Sequence, residues 1–212
     1  MTNPLTAASA RAYFDARAHL WEAERQDYFT DAVWDEILRH GQFDREARVV
    51  DYGAGSGYLT AALLAAGLHK IVAVDVSPNT LMELQQRHGQ GIEIRVATGG
   101  EIPLETGSAD GIVCNMVLHH LEDPALFFAE CARVLRRGGR AVVTYMVSYA
   151  ATDFAADQND RWAGFDLDAL RQWIAAAGLF PDHIGLIGQR CCAQVSGAGG
   201  GAEIFVACAI RP

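Results

Sequence analysis

The feature that most constrains the fold is a regular alternation of short apolar runs and helical patterns from residue 48 onward. The runs are continuous and rich in β-branched residues, which is typical of parallel strands covered by helices on both faces. The predicted strands are RVVDY (48–52), IVAVDV (71–76), IEIRVA (92–97), GIVCNM (111–116) and RAVVTYM (140–146), and the predicted helices lie at about 58–66, 78–88, 124–136 and 166–177. This order predicts an α/β fold with a doubly wound, mostly parallel sheet.

The two ends of the chain differ from this core. Residues 8–40 predict aromatic-rich helices before the first strand. Near the other end, HIGLIGQRCCAQV and AEIFVACAI flank the glycine-rich SGAGGG, which predicts an antiparallel hairpin and brings the sheet to seven strands. We therefore expect a single domain with an N-terminal helical cap over 1–44, a ligand-binding core over 45–147, and a substrate loop, helix and hairpin over 148–212.

Composition argues against several classes of function. The formal net charge of −9 opposes nucleic-acid binding, which needs a basic surface. The N-terminus shows no targeting signal, and the longest apolar run, AALLAAGL, is too short to span a bilayer. The five cysteines are odd in number and lie in apolar contexts, so we expect a reduced, cytoplasmic protein. Cys191 and Cys192 would point to opposite faces of a strand, so with Cys208 they predict packing and no metal site.

A glycine-rich turn follows the first strand in VVDYGAGSGYLT (49–60). In a parallel sheet such a turn lies at the carboxyl edge, where ligands bind. Its spacing is G-x-G-x-G, which differs from the dinucleotide fingerprint G-x-G-x-x-G, and the phosphate loop G-x-x-x-x-G-K-[ST] is absent. Asp51, two residues before the first glycine, suits a cationic ammonium group better than a phosphate. A sharp strand-to-helix turn without a ligand is the alternative interpretation.

Asp75 closes the second predicted strand in VAVDVS. An acidic residue near this position can accept hydrogen bonds from both hydroxyls of a ribose. The site thus offers a ribose acceptor and bare backbone for close approach, and it lacks basic residues for phosphate. These features predict a nucleoside that carries an amino-acid tail.

Four stretches together resemble the class I S-adenosylmethionine-dependent methyltransferases: VVDYGAGSGYLT, VAVDVSPNTLMEL, EIPLETGSADGIVCNMVLHHLEDP and FFAECARVLRRGGRAVVT. The resemblance covers roughly residues 45–147 and is greatest to the broad small-molecule group that includes the ubiquinone and menaquinone C-methyltransferases. It implies a Rossmann-like fold, S-adenosyl-L-methionine as cofactor, S-adenosyl-L-homocysteine as product, and a small molecule as methyl acceptor.

The resemblance also assigns roles to residues. Asp75 would bind the ribose, Val76 would pack on the adenine, and Asn115 would lie near the sulfonium and methionine portion. The loop implied to pass under the methionine moiety contains Gly53, Ala54, Gly55 and Gly57.

For two other parts of the implied cofactor site, the partner of the adenine and the lid, the sequence leaves alternatives. The family usually has an aspartate after the third strand, where this chain has Thr98, whose hydroxyl accepts a hydrogen bond from adenine more weakly. The backbone of Gly99 is the alternative partner for the adenine. In the family, N-terminal segments fold over the cofactor, so Tyr13 and Trp21 are candidates for a lid, the alternative being a packing helix.

Catalysis by this chemistry needs few protein groups, because the sulfonium already provides a leaving group and the protein mainly aligns the acceptor and excludes water. His119 and His120 are candidates for a general base, and their alternative role is structural. Tyr145, at the carboxyl end of the fifth strand, is a candidate on the substrate side or a core aromatic residue. The acceptor is expected to enter between the N-terminal helices and the irregular stretch 147–165, whose acidic residues would favour a cationic or neutral acceptor.

Two other functions stay open on the sequence alone. One is a nicotinamide-dependent oxidoreductase, which the glycine spacing opposes. The other is a non-catalytic protein that binds S-adenosylmethionine or a partner, because no motif encodes the acceptor site.

Overall fold

The computed structural model describes residues 11–16, 32–148, 161–191 and 201–212. Seven strands in this part of the chain form one sheet in the order β3-β2-β1-β4-β5-β7-β6. They are β1 (Arg48–Tyr52), β2 (Lys70–Asp75), β3 (Glu93–Val96), β4 (Ala109–Asn115), β5 (Leu135–Met146), β6 (Phe180–Arg190) and β7 (Glu203–Ile210). Strands β1 to β5 pair in parallel, whereas β7 runs antiparallel to both β5 and β6. The predicted fold class, including the C-terminal hairpin, is confirmed.

Among the described residues from 32 onward, five helices flank the sheet: α1 (Ala32–Gly41), α2 (Tyr58–Ala65), α3 (Pro78–His88), α4 (Pro124–Val134) and α5 (Leu167–Ala176). Helices α3 and α4 each follow a capping residue, since Ser77 accepts a hydrogen bond from the Thr80 amide and Asp123 accepts one from the Ala125 amide. Each cap satisfies an amide that the first helical turn leaves without a partner, which fixes where the helix begins.

The central strands are buried on both faces, as their continuous apolar sequence predicts. Val49 and Val50 of β1 and Ile112 and Val113 of β4 are all inaccessible to solvent. Strand order reverses between β1 and β4, which are neighbours in space but not in sequence. A sheet of this kind opens a crevice at the carboxyl ends of the strands at such a reversal.

Two strands depart from their predicted bounds. β5 begins at Leu135, directly after α4, because Leu135 pairs with Ala109 before a register shift carries the strand on to Arg140. β6 begins at Phe180 and ends at Arg190, so Cys191 follows the strand. β6 lies at one edge of the sheet, and its residues are mostly half-buried or exposed. It therefore lacks the apolar run that marks a central strand.

Two segments of the predicted N-terminal cap fall among the described residues. Residues 11–16 are helical, and the Ser77 hydroxyl donates a hydrogen bond to Asp15 at 2.5 Å, which attaches this segment to the start of α3. Helix α1 packs against β5, β6 and β7. In the described residues we find no helix of the length and apolar character that crossing a bilayer requires.

Candidate functional site

A cavity lies at the carboxyl ends of β1, β2 and β4, next to the reversal of strand order. The turn after β1 forms its floor with Tyr52, Gly53, Ala54 and Gly55. What we call the β2 side consists of Asp75, Val76, Ala97 and Gly99, and the β4 side consists of Asn115, Met116, Val117, His120 and Leu121. The predicted cofactor residues that line the cavity are Asp51, Gly53, Ala54, Gly55, Asp75, Val76, Gly99 and Asn115.

The three glycines of the turn all have positive φ, at 74° for Gly53, 52° for Gly55 and 96° for Gly57. A Cβ atom on Gly53 would overlap the side chain of Val117, and one on Gly57 would come within 2.6 Å of His88. Gly57 does not line the cavity and stands at the N-terminus of α2. The packing of the protein itself therefore requires Gly53 and Gly57, in addition to any ligand.

The side chain of Asp75, at the end of β2, is held in place by hydrogen bonds from neighbouring turns. Its carboxylate accepts hydrogen bonds from the amides of Gly55 and Ser77, each at 2.9 Å, and a longer one from Thr80 Oγ1 at 3.4 Å. Burial raises the pKa of this carboxyl, and these hydrogen bonds oppose the rise. A carboxylate accepts about four hydrogen bonds, so after two strong amide bonds it retains capacity for a ligand hydroxyl. Asp75 therefore fits the role of a ribose acceptor.

Asp51 lies deeper beneath the cavity. It is buried and accepts a hydrogen bond from the Thr60 hydroxyl at 2.6 Å. Burial raises the pKa of Asp51 to about 7, so at neutral pH it is only partly ionised. A partly ionised carboxyl is a weaker partner for an ammonium group than the full carboxylate that the sequence suggested.

The position expected to receive adenine is formed by backbone. The Thr98 side chain does not line the cavity, because its hydroxyl donates to Glu101 at 2.7 Å while its amide donates to the same carboxylate oxygen. Gly99 lines the cavity in its place, and the Tyr52 hydroxyl holds the Gly99 carbonyl at 3.0 Å. Of the two partners suggested for adenine, the structure thus places Gly99 at the cavity and Thr98 outside it.

The N-terminal helical segment reaches the cavity through Phe14. This ring lines the cavity and meets His120 edge to face, with the ring centroids 5.0 Å apart. Its neighbour Tyr13, a predicted lid residue, is not among the lining residues. Trp21, the other predicted lid residue, lies outside the described residues.

The three candidate catalytic residues divide into one at the cavity and two beneath it. His120 lines the cavity, whereas His119 and Tyr145 do not. His119 is buried and stacks on Tyr145, with ring centroids 4.6 Å apart, and burial lowers the pKa of His119 to about 3. Tyr145 is 1% exposed. The two histidines belong to a short 3-10 turn at Leu118–His120, and their ring centroids are 3.7 Å apart, yet of the two only His120 lines the cavity.

Backbone strain marks the β4 side. Met116 has a φ of 54°, which is uncommon outside glycine and costs roughly 1–2 kcal/mol. Its amide donates to the Thr144 carbonyl at 3.0 Å, and the Thr144 hydroxyl donates to Asn115 Oδ1 at 2.7 Å. Thr144 therefore holds both residues in place, and the Asn115 side chain has a fixed orientation at the cavity.

Sequence reasoning missed many of the lining residues, among them Phe14, Tyr52, Met116 and Arg161. Tyr52 and Met116 each adjoin a residue that was predicted, so the strand ends themselves were a usable signal. Phe14 adjoins Tyr13 in the predicted lid. Arg161 lies in the stretch 147–165 expected to border the entrance of the acceptor, but nothing singled it out, because a hydrogen bond distant in sequence brings it to the cavity.

Residues 50–143 match the family model described as "Methyltransferase domain". The chain carries a class I S-adenosylmethionine-dependent methyltransferase domain. The predicted family is thereby confirmed. This methyltransferase domain contains the turn after β1, Asp75 and the whole β4 side of the cavity.

Curated relatives match over a stretch of similar length. An uncharacterised methyltransferase of Mycobacterium tuberculosis is 43% identical over 93 residues, which is 44% of this chain and 37% of that protein. A ubiquinone biosynthesis O-methyltransferase of Xanthomonas oryzae pv. oryzae is 33% identical over 99 residues, or 44% of this chain and 41% of that protein. The matched region thus spans less than half the length of these relatives.

Solved structures match over nearly the whole chain. The 1,6-didemethyltoxoflavin-N1-methyltransferase of Burkholderia thailandensis, solved with bound 1,6-didemethyltoxoflavin and S-adenosylhomocysteine, has a TM-score of 0.75 at 24% identity. That alignment covers 100% of this chain and 93% of the other. At this identity the likeness shows that the fold surrounding the methyltransferase domain is shared.

Proposed function

We propose that this protein transfers a methyl group from S-adenosylmethionine to a small-molecule acceptor. The observation that carries the proposal is the cavity at the reversal of strand order, where Asp75 and the glycine turn lie side by side and are joined by a hydrogen bond. A ribose acceptor next to bare backbone suits a nucleoside with an amino-acid tail.

Residues on each side of the cavity have distinct parts in this function. Asp75 would accept from the ribose hydroxyls, and the segment Ala97–Gly99 would face the adenine through its backbone. The glycine turn would follow the amino-acid tail toward Asn115. S-Adenosylmethionine, when bound, supplies a methyl group already activated by a sulfonium leaving group.

The acceptor then needs alignment and exclusion of water more than activation. Phe14 and Leu121 are apolar groups at the cavity, and they would keep water from the reacting atoms. His120 is the histidine that lines the cavity, so it is the side chain placed to take a proton from an acceptor that must lose one. His119 and Tyr145 support it from below through their stacked rings.

A small molecule as acceptor agrees with the chain's negative charge, since a net charge of −9 opposes binding to nucleic acid. It also agrees with the activities for which similar proteins are named, which include a ubiquinone biosynthesis O-methyltransferase and a 1,6-didemethyltoxoflavin-N1-methyltransferase.

Calorimetry tests the proposal. We expect S-adenosylhomocysteine to bind with a dissociation constant in the micromolar range or tighter, and NADH to give no measurable heat of binding. Comparable affinity for the two ligands would exclude the proposed cofactor. With binding established, production of S-adenosylhomocysteine from S-adenosylmethionine in the presence of an acceptor panel separates an enzyme from a protein that only binds the cofactor.

A further inference from the structure

Arg161 is the only arginine or lysine among the described residues that line the cavity. We propose that its guanidinium binds an anionic group, a carboxylate or a phosphate, on the methyl acceptor. This inference rests on the proposed methyltransferase function and narrows it, because it names the class of acceptor. It departs from the cationic or neutral acceptor expected from the acidic residues of 147–165, which lie outside the described residues.

The backbone that carries Arg161 is anchored to the turn after β4. The Arg161 amide donates a hydrogen bond to the His119 carbonyl at 2.9 Å. The indole N–H of Trp162 donates to the Leu121 carbonyl at 3.0 Å, and the Trp162 ring lies 6.0 Å from that of Phe165. These contacts hold the backbone of Arg161 next to the cavity, which its side chain lines.

The guanidinium of Arg161 differs from other partly buried guanidinium groups of the fold. Arg133 forms an ion pair with Glu130 at 2.6 Å, and Arg140 forms one with Asp182 at 3.0 Å. Within the described part of the chain, Arg161 forms no ion pair and its guanidinium no hydrogen bond. A guanidinium is a planar fork of donors that matches carboxylate and phosphate oxygens, so an anionic ligand would complete this site.

The other charged groups of the cavity do not satisfy Arg161. Asp51 and Asp75 accept hydrogen bonds from the protein's own Thr60, Gly55 and Ser77. Glu122 also lines the cavity, but its side chain is exposed, and no ion pair joins it to Arg161 within the described residues. Closure over a ligand would remove water from the guanidinium, and a buried unpaired charge is strongly unfavourable. An anion on the ligand offsets that penalty.

The position of Arg161 favours the acceptor over the cofactor's own carboxylate. Asp75 places the ribose at β2, and the amino-acid tail would follow the turn after β1. Arg161 is bonded to His119, after β4, which is one strand further along the sheet. The space beside Arg161 and His120 is therefore left for the second substrate.

The test uses protein saturated with S-adenosylhomocysteine and three probes of similar shape, benzoate, phenyl phosphate and the neutral benzamide. Ligand-observed NMR titration measures the affinity of each. We expect the wild-type protein to bind at least one anionic probe about tenfold more tightly than benzamide. Which anion binds better distinguishes a carboxylate acceptor from a phosphorylated one.

Variants test whether Arg161 causes the preference for anionic probes. Arg161→Gln should abolish the preference for the anion, and Arg161→Lys should keep part of it as a point charge. Arg171→Gln, at an exposed position of α5 outside the cavity, is the matched control and should behave as wild type. The dissociation constant of S-adenosylhomocysteine should be unchanged in all three variants.

Two results would overturn the inference. Equal affinity of the wild-type protein for the three probes would mean that Arg161 selects no anion. Weaker binding of S-adenosylhomocysteine by Arg161→Gln would mean that the guanidinium holds the carboxylate of the cofactor. Failure of the wild-type protein to bind S-adenosylhomocysteine is a different outcome, because it contradicts the proposed function itself.

Discussion

The β2 side and the β4 side of the cavity are built in different ways. On the β2 side, Asp75 is held by the amides of Gly55 and Ser77, which belong to the turns that end β1 and β2. On the β4 side, the His120 ring contacts Phe14 from the N-terminal segment. The carbonyl of the neighbouring His119 accepts a hydrogen bond from the Arg161 amide, which lies about forty residues further along the chain. Under the proposed function, cofactor recognition would depend on turns next to strands, whereas the acceptor side would depend on segments distant in sequence.

Gly53 lies where the two sides meet, so its substitution should have the largest effect. A methyl group there would overlap Val117, and φ is 74°. We expect Gly53→Ala to lower the free energy of unfolding by about 2–4 kcal/mol, from overpacking and backbone strain together. Urea denaturation measures the change.

Gly138→Ala is the matched control for this substitution. Gly138 has a φ of 77°, and a Cβ atom there would meet nothing within 4 Å. Only backbone strain remains, so the expected loss is about 1 kcal/mol. If Gly53→Ala and Gly138→Ala lowered the free energy of unfolding by the same amount, the close contact with Val117 would not be what joins the β2 and β4 sides of the cavity.

Asp75→Asn tests the β2 side alone. The amide group supplies one acceptor oxygen in place of two, so we expect binding of S-adenosylhomocysteine to weaken by about 1.5–3 kcal/mol and an unpaired amide to lower protein stability as well. Asp166→Asn makes the same change where a carboxylate caps α5 by accepting from Asp168 and Ala169, outside the cavity. Because Asn caps helices as well as Asp, that control should change neither binding nor stability. If Asp75→Asn bound S-adenosylhomocysteine as tightly as the wild-type protein, the ribose would have to lie elsewhere.

The contributions of His119 and Asp51 to protein stability should change with pH in opposite directions. The folded-state pKa of His119 is about 3, below its unfolded value of 6.5, so its contribution to stability is complete above pH 6.5 and declines as the pH falls. The folded-state pKa of Asp51 is about 7, above its unfolded value of 3.8, so its contribution is complete below pH 3.8 and declines as the pH rises through 7.

Between pH 5 and 6 these two contributions nearly cancel, each being about 1 kcal/mol per pH unit. Denaturant unfolding of His119→Gln should therefore show stability that decreases with rising pH relative to wild type. Asp51→Asn should show the reverse trend. Parallel pH profiles for all three proteins would contradict the burial of one or both groups.

The fold was largely predictable because central strands and capped helices leave local patterns. Strands β1 to β4 and helix α3 lie close to where the sequence places them. β6 was placed less well, because an edge strand need not be apolar. The bounds of the cap, core and C-terminal regions remain a prediction.

The site was predictable in part, and the reason differs between its two sides. Asp75 and the glycine turn follow directly from strand ends, since the sheet brings them together. His119 and Tyr145 were candidates for the substrate side with structural roles as alternatives, because local sequence does not determine which side chains of a turn or strand end point into a crevice. Arg161 belongs to the stretch 147–165 expected to border the entrance of the acceptor, but it could not be singled out, because its place depends on a hydrogen bond to His119.

A crystal structure of the protein with S-adenosylhomocysteine bound tests the central claim most directly. We predict that both ribose hydroxyls lie within hydrogen-bonding distance of the Asp75 carboxylate, at about 2.5–3.0 Å. The amino-acid tail should lie along the turn at Gly53–Gly55, and the adenine should lie beside Gly99. A ribose that makes no contact with Asp75, or a ligand bound outside this cavity, would contradict the account.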